Sequence, residues 1–236
     1  HNPAPFWELE AKFSAGDATW SARWERTGHK DDPDNPEIKA HRITELSEKE
    51  MLEEILASDG EFTANQTDRD SKEKPPLNFD LTSLQREANN LWSWSARRTL
   101  SVAQELYDTH KLTTYPRTDS RFLPEDMMEE ISKTIRQLGA QDKLNEHSQR
   151  LIDSGLKNVK RNFDNNKVSD HYAIIPTGKL PPSGLSSDAA KLYDLIARQF
   201  LASFHPESVW KVEKRTATKQ GQNFIKEARS LSIPGW

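Results

Sequence analysis

Apolar residues follow one period at the two ends of this chain and another in its middle, and this change constrains the fold more than any other feature. Apolar and polar residues alternate over 7–13 and 20–24, on either side of a turn that contains Gly16. A strand pattern returns over 209–217 and 224–231, around a Gln-Gly-Gln-Asn turn. Alternation with period two is typical of half-buried strands, so both ends are predicted to form β-structure.

Between these ends, apolar residues recur at the spacing of an amphipathic helix. The sequence predicts a helix over 46–57 with Ser47 as its N-cap, a polar loop over 29–36, and a charged linker over 67–76 that ends in two prolines. Further helices, each with its apolar residues on one face, are predicted over 82–92, 96–107, 124–138 and 187–200. Tyr107 is predicted to face inward in the second of these, and Ser187 to be the N-cap of the last.

The order of strands, helices and strands predicts an α+β fold in which a mainly helical domain is inserted into a β-rich domain. On this interpretation residues 1–78 and 206–236 form the β-rich domain, and residues 79–205 form the helical domain. A length of 236 residues is enough for two domains of modest size, each with its own core.

The composition narrows the class of protein. The chain has no cysteine, which excludes a disulfide framework and a cysteine-ligated zinc site. Its mean hydropathy is -0.88 and no apolar run approaches the length of a membrane-spanning helix, so we expect a soluble cytosolic protein. The net charge of -4 disfavours nucleic-acid binding by the chain as a whole, but the stretches 97–121 and 157–179 are mildly basic.

One run carries the residues of a nucleophilic site: residues 112–124 read Leu-Thr-Thr-Tyr-Pro-Arg-Thr-Asp-Ser-Arg-Phe-Leu-Pro. Proline disfavours the α-conformation for the residue before it, so Tyr115 is predicted to be extended. Side chains two apart in an extended chain share a face, so Tyr115 and Arg117 can point into one site. A free tyrosine has a pKa of about 10, and a guanidinium beside it stabilises the phenolate and neutralises phosphate oxygens.

The neighbours of this pair suit a phosphodiester as well. Thr118 and Ser120 can donate to phosphate oxygens, and Asp119 can orient Arg117 or take part in proton transfer. By composition alone, the same residues also fit a half-buried structural tyrosine with Arg117 paired to Asp119 at the surface.

Two further segments complete the candidate site. Residues 79–88 open a predicted helix, where hydroxyls and free N–H groups suit a phosphate, although Thr82 and Gln85 equally have the spacing of a capping box. Residues 170–177 read Asp-His-Tyr-Ala-Ile-Ile-Pro-Thr, and His171 precedes an apolar stretch typical of a core segment.

These three segments together resemble the type IA DNA topoisomerases, most closely the topoisomerase III branch, and the resemblance covers most of the chain from residue 79 onward. It implies that Tyr115 is the nucleophile that forms a 5′-phosphotyrosine link. It also implies that Arg117 positions the scissile phosphate and that His171 helps to bind the DNA backbone or to move a proton. The residues that it implies for DNA contact are Thr82, Ser83, Gln85, Arg97, Arg98, Thr118, Asp119, Ser120 and Arg121.

The resemblance also implies a part that this sequence lacks. Type IA topoisomerases need Mg²⁺, which an acidic Toprim domain holds through an Asp-x-Asp motif and a catalytic Glu and Lys. Asp68 and Asp70 have that spacing but lie in the predicted polar linker, so no metal ligand is predicted in this chain. We therefore expect a central fragment of a larger enzyme, inactive without the Toprim domain.

The function implied by the resemblance is cleavage and religation of one DNA strand, which allows strand passage, relaxation and decatenation. The partners would be DNA, preferably single-stranded, and the remaining domains of a bacterial cytoplasmic enzyme that is nucleoid-associated or plasmid-encoded. Two alternatives stay open. A tyrosine recombinase-like transesterase would attach to the 3′ phosphate, and a single-stranded DNA-binding or docking module would have no catalysis.

Overall fold

The computed structural model describes residues 5–30, 38–157 and 159–236, and the chain divides into two compact units. Unit 1 contains His1–Lys72 and Val209–Ser232, and unit 2 contains Glu73–Ser208 and Ile233–Trp236. Most of the loop predicted over 29–36 lies outside the described residues. By the resemblance to type IA topoisomerases, residues 1–78 and 206–236 would be an arch domain and residues 79–205 an active-site tyrosine domain, and this assignment stays a prediction.

Unit 1 is built around one five-stranded sheet whose strands come from both ends of the chain. The strands in chain order are β1 Glu10–Ala15, β2 Ala18–Glu25, β3 Thr63–Glu73, β4 Ser208–Lys219 and β5 Gln222–Ile233. Across the sheet their order is β1-β2-β5-β4-β3. β1 and β2 form an antiparallel hairpin with Phe13 opposite Trp20, and β2 pairs antiparallel with β5 with Trp24 opposite Phe224.

An aromatic cluster forms the core of unit 1. Phe13 lies 5.0 Å from Phe62 and 5.5 Å from Phe224, measured between ring centroids, and both contacts are edge-to-face. Helix α1, Leu46–Ala57, buries Leu52 in the same cluster. The strands and the helix predicted from apolar spacing are thus confirmed, but the N-cap of α1 is Glu45 and not the predicted Ser47.

The prediction of a charged linker over 67–76 is wrong, because most of these residues belong to strand β3. This strand lies at the edge of the sheet beside β4, and nearly all of its side chains are exposed. With no buried face there is no apolar alternation, so the usual sequence signal of a strand is missing. The strand ends at Glu73, before Pro75 and Pro76, because proline cannot donate to a strand ladder.

Unit 2 is mainly helical, and its helices are α2 Leu81–Trp92, α3 Ala96–Gln104, α4 Met128–Leu138, α5 Asp142–Ser154, α6 Val159–Asn162 and α7 Ser187–Phe204. The C-terminal helix α7 has 18 residues and buries nine of them, and α3 and α5 pack against it. The four predicted helices are present, which together with the sheet confirms the α+β class. None of the helices in the described part of the chain is long and apolar enough to cross a membrane.

Three details of unit 2 differ from the sequence prediction. α3 does not continue to residue 107 but passes into a π-helical turn, Glu105–Thr109, and a 3-10 turn, Glu125–Met127, precedes α4. α7 is capped by Ser186, not by Ser187. Helix α5 was not predicted, although its buried residues Leu144, Ser148 and Leu151 have helical spacing.

The start of α2 is fixed by a capping box that lies two residues before the predicted one. The carboxylate of Asp80 accepts from the Ser83 N–H at 2.6 Å, and the Ser83 hydroxyl accepts from the Asp80 N–H at 3.1 Å. Gln85 instead donates to the carbonyl of Ala96 at 3.1 Å, at the start of α3. Thr82 is exposed in the first turn. The predicted pairing of Thr82 with Gln85 is therefore wrong.

We predict that Asp80→Ala lowers the free energy of unfolding by about 0.5–2 kcal/mol, because the first turn of α2 loses the side chain that satisfies its N–H groups. Thr82→Ala is the matched control, since it removes an oxygen from the same turn but no cap, and it should leave the free energy of unfolding within about 0.5 kcal/mol of the wild type. Urea unfolding followed by circular dichroism measures both. Equal losses for the two variants would contradict the assigned cap.

Candidate active site

Three loop segments of unit 2 are joined by backbone hydrogen bonds: residues 112–123, residues 171–177, and the stretch that leads into α2. The bonds, named donor first, are Thr114 to Ile175 at 2.9 Å, Thr177 to Leu112 at 3.0 Å, Ala173 to Phe122 at 3.0 Å, Ile174 to Phe79 at 2.8 Å and Leu81 to Thr118 at 3.0 Å. The segments that carried the sequence motifs therefore form one structure, although they are far apart along the chain.

The hydroxyl of Thr114 strengthens this junction immediately before the candidate nucleophile. It donates to the carbonyl of Ala173 at 2.9 Å and accepts from the N–H of Ile175 at 2.9 Å. Ala173 and Ile175 are buried, so water is a poor replacement partner for either backbone group. The adjacent Thr113 is also buried, but its hydroxyl has no hydrogen-bond partner within the described part of the chain.

After Tyr115, buried and exposed residues alternate. Pro116, Thr118 and Ser120 are buried, whereas Arg117 and Asp119 are exposed. Tyr115 itself is half-buried. The alternation shows that Tyr115, Arg117 and Asp119 lie on the outer side of this segment, as expected for an extended backbone.

The ring of Tyr115 lies against two other rings. The centroid of the His171 ring is 4.3 Å away, and the ring of Tyr107 makes an edge contact at 5.4 Å. These three rings line a cavity of about 340 Å³. The other residues that line it are Lys111, Thr113, Thr114, Tyr172 and Thr177.

Tyr107 lies within a π-helical turn, and a left-handed residue lies between this turn and Tyr115. The N–H of His110 donates to the carbonyl of Glu105 at 3.2 Å, five residues earlier, as in a π-helix. Lys111 follows with a φ of 54°, a conformation that costs a residue other than glycine about 1–2 kcal/mol. The sequence prediction placed Tyr107 on the inner face of a regular helix and did not identify it as part of the site.

Burial raises the pKa of Tyr172, and the nearby Glu130 and Tyr107 raise it further. A raised pKa keeps this phenol protonated at neutral pH, since even a free tyrosine titrates at about 10. Tyr172, which lines the same cavity as Tyr115, is therefore held as a neutral phenol.

Arg117 lines a separate, polar cleft of about 670 Å³ along α3. With its amide oxygen turned toward Arg117, Gln104 accepts from Nε at 3.2 Å and from Nη2 at 3.1 Å. A neutral partner orients the guanidinium without cancelling its charge, which leaves the charge available to an anion. Sequence reasoning missed Gln104, because nothing in its spacing indicates which face of α3 meets Arg117.

Arg97 and Arg98 of α3, which were also predicted to contact DNA, line the same cleft as Arg117 and are exposed. Nη2 of Arg98 lies 2.7 Å from a carboxylate oxygen of Asp188, and its guanidinium lies 4.6 Å from the centroid of the Trp94 ring. The structure therefore brings Arg97, Arg98 and Arg117 to one cleft, with the charge of Arg98 partly balanced by Asp188.

The remaining residues predicted near the tyrosine are largely engaged within the protein. The Thr118 hydroxyl donates to the carbonyl of His171 at 3.0 Å, and the Ser120 hydroxyl donates to the carbonyl of Lys167 at 2.7 Å. Nε of Arg121 donates to the carbonyl of Asn78 at 3.0 Å. Asp119 is exposed and accepts from the Ser169 hydroxyl at 3.2 Å.

Asp68 and Asp70 have the spacing of an Asp-x-Asp motif, but neither belongs to a group of metal-binding side chains in the described residues. Asp68 and Asp70 lie in the exposed edge strand β3, and Asp68 accepts from the amide of Gln66 at 3.1 Å. Within residues 5–30, 38–157 and 159–236, no three His, Asp or Glu side chains group as a metal site would require. These residues do not fit a bound Mg²⁺, so we derive no step through a metal.

The comparison with known proteins agrees with this geometry. A family profile described as DNA topoisomerase matches residues 1–236. The chain belongs to the DNA topoisomerase family. Among the relatives of this topoisomerase chain, DNA topoisomerase 3 of Shouchella clausii is 37% identical over 202 residues, which are 84% of this chain and 27% of that protein. DNA topoisomerase 3 of Bacillus subtilis is 34% identical over 235 residues, which are 99% of this chain and 30% of that protein.

The fold is shared with a solved topoisomerase. Full-length topoisomerase I from Thermotoga maritima matches 98% of this topoisomerase chain and 35% of its own, with a TM-score of 0.60 at 23% identity. The resemblance to the topoisomerase III branch is thus confirmed by the named relatives. The chain spans 27% and 30% of the length of the two relatives described above.

We predict that Thr114→Val lowers the free energy of unfolding by about 1–3 kcal/mol, because the substitution leaves the buried carbonyl of Ala173 and N–H of Ile175 without their partner. Thr113→Val is the matched control, since it makes the same change one residue earlier at a buried hydroxyl without a partner. It should be neutral or slightly stabilising. Chemical denaturation of both variants measures the difference, and a larger loss for Thr113→Val would contradict the assigned role of Thr114.

Proposed function

We propose that this topoisomerase chain is the DNA-cleaving part of a longer type IA enzyme of the topoisomerase III kind. Residues 1–78 and 206–236 would belong to its arch domain, and residues 79–205 would form its tyrosine domain. The short span of the match supports this proposal, because the chain covers only 27% and 30% of two named relatives.

The reaction would be a transesterification at one DNA strand. The Tyr115 hydroxyl oxygen attacks the phosphorus, and a bond from this oxygen to phosphorus forms as the bond from phosphorus to the 3′ oxygen breaks. The phenol loses its proton and the leaving 3′ oxygen gains one. Since the 5′-phosphotyrosine keeps the phosphodiester free energy, attack by the same 3′ hydroxyl religates the strand without a nucleotide cofactor.

One observation carries this proposal: Tyr115 and Arg117 lie on the outer side of one extended segment, with His171 against the tyrosine ring. In that arrangement Arg117 would stabilise the charge that develops on the phosphate oxygens. His171 is exposed, so its ring would be available to the DNA backbone or to a proton.

We divide the predicted DNA-contact residues by their environment. Exposed side chains can touch DNA directly, and we assign this role to Thr82, Arg97, Arg98 and Asp119. Side chains that already bond to the protein would act by holding the loops and helix starts in place, and these are Ser83, Gln85, Thr118, Ser120 and Arg121.

The complete enzyme would need the parts that these residues do not supply. We propose that Mg²⁺ is held by a Toprim domain outside this chain, and that single-stranded DNA enters between the parts of the assembled enzyme. Strand passage through the cleaved strand would then relax or decatenate DNA in a bacterial cytoplasm. The nearest alternative is a single-stranded DNA-binding module in which Tyr115 does not react.

In the full-length protein, Tyr115→Phe should abolish covalent attachment of DNA without changing the melting temperature, because only the attacking oxygen is lost. Tyr193→Phe is the control: it also removes one phenolic oxygen, which bonds to Gln141 at 3.0 Å, but from a buried position in α7. It should keep covalent attachment. Reactions stopped with denaturant and resolved on a gel measure the attached DNA.

The polarity of the covalent link adds a second criterion. DNA attached through its 5′ phosphate supports the topoisomerase reaction, whereas attachment through the 3′ phosphate would favour a recombinase-like reaction. Attachment by the Tyr115→Phe variant would show that another residue is the nucleophile.

We expect the chain of 236 residues alone to relax no supercoiled DNA, with or without Mg²⁺, because its described residues include no group that fits a metal. It should bind single-stranded DNA weakly. The logarithm of its binding constant should fall with the logarithm of the salt concentration with a slope of about 0.7 per phosphate contacted. Duplex should bind less well, because aromatic side chains can stack only on unpaired bases. Plasmid relaxation and a salt titration of labelled oligonucleotides measure this, and Mg²⁺-dependent relaxation would contradict it.

A further inference from the structure

Lys111 has a backbone conformation that glycine adopts more readily than other residues. Its φ of 54° lies in the left-handed region, and its backbone is held there on both sides. The carbonyl of Lys111 accepts from the Thr177 hydroxyl at 2.8 Å, and the following N–H, of Leu112, donates to the carbonyl of Leu106 at 2.9 Å. The left-handed conformation at the end of this helical turn is therefore fixed by two hydrogen bonds.

The fixed backbone presents the Lys111 ammonium at the cavity of Tyr115. The ammonium nitrogen lies 5.3 Å from the centroid of the Tyr107 ring, and the side chain is exposed. A second ammonium lies close by, because Lys179 donates to the carbonyl of His110 at 3.0 Å. Two acidic groups also lie nearby: Glu105 is 3.4 Å from the ring of His110, and Glu130 is close enough to Tyr172 to raise its pKa. The two ammonium groups supply the positive charge at this edge of the cavity.

The cavity behind this edge is aromatic and of suitable size for one nucleotide. Its volume is about 340 Å³, and small-molecule sites have volumes of roughly 300–1,000 Å³. Rings of Tyr107 and Tyr172 line it, and aromatic rings stack on unpaired bases whatever their sequence. Arg117 lines a different cleft, so Lys111 and Arg117 belong to different sites.

We propose that this cavity binds one unpaired nucleotide next to the scissile phosphate, with its base against Tyr107 and Tyr172 and its phosphate on Lys111. The proposal rests on the function proposed above and deepens it, since it adds a second phosphate contact and a base contact beside Tyr115. One strand then spans the cleft of Arg117 and the cavity of Lys111, which holds it on both sides of the nucleophile.

The phosphate contact is tested by equilibrium binding of a labelled single-stranded oligonucleotide to the chain of 236 residues. Lys111→Gln should weaken binding about three- to tenfold at low salt and reduce the salt dependence by about 0.7, the value of one single-strand phosphate contact. Lys111→Arg keeps the charge and should bind nearly as tightly as the wild type. Lys143→Gln is the matched control, because it removes an exposed ammonium from α5, away from the cavity.

The base contact is tested with two strands of equal length and charge, one intact and one in which every base is absent. The wild type should bind the intact strand about tenfold more tightly or better, as stacking predicts. Tyr172→Leu should reduce this preference, while Tyr172→Phe, which keeps the ring, should retain it. Lys111→Gln should weaken both strands equally, because it removes only a phosphate contact.

The outcomes separate this proposal from the function on which it rests. A wild-type chain that binds no single-stranded DNA would overturn both. A wild type that binds normally, with Lys111→Gln indistinguishable from Lys143→Gln, would overturn the phosphate contact alone. An unchanged preference for the intact strand in Tyr172→Leu would overturn the nucleotide cavity.

Discussion

The hydroxyl of Thr114 donates to the carbonyl of Ala173 and accepts from the N–H of Ile175, and so joins two loops that lie 59 residues apart along the chain. Neither loop has regular secondary structure to hold it, and the contacts that position Tyr115 and His171 against each other depend on this junction. Breaking this buried junction is costly, because it would leave the carbonyl of Ala173 and the N–H of Ile175 unpaired and away from water. The geometry of the site is therefore a property of loop pairing more than of any helix.

The residues after Tyr115 divide into buried ones, which hold the segment in place, and exposed ones. Pro116, Thr118 and Ser120 point inward and attach the segment to its neighbours, while the outward positions remain available for chemistry. An extended backbone makes this division possible, because successive side chains point to opposite sides. Hydroxyls that look like phosphate ligands in the sequence are thus used to hold the segment, and the charged residues between them meet the solvent.

Sequence reasoning succeeded where one local rule decides the structure. Apolar spacing located most strands and helices. The proline after Tyr115 and the spacing to Arg117 placed both residues on the outer side of one segment, although the two side chains line different cavities. It failed where the tertiary environment decides. Strand β3 has no buried face to create a period, and the conformation of Lys111 and the partner of Arg117 depend on residues distant in sequence. The helical spacing in α5 was present in the sequence and could have been used.

The sheet combines strands that lie early and late in the sequence, so it can be completed only late during synthesis. β2 pairs with β5, so Trp24 meets its opposite residue, Phe224, only after residues 25–223 have been synthesised. Until then β1 and β2 form a lone hairpin, which is marginally stable in water and leaves one strand edge open. The helices of unit 2 all precede β5 in the sequence, so they can fold during this interval. Ribosome-bound chains that stop before β5 would thus carry a finished helical unit and an unpaired strand that chaperones can recognise.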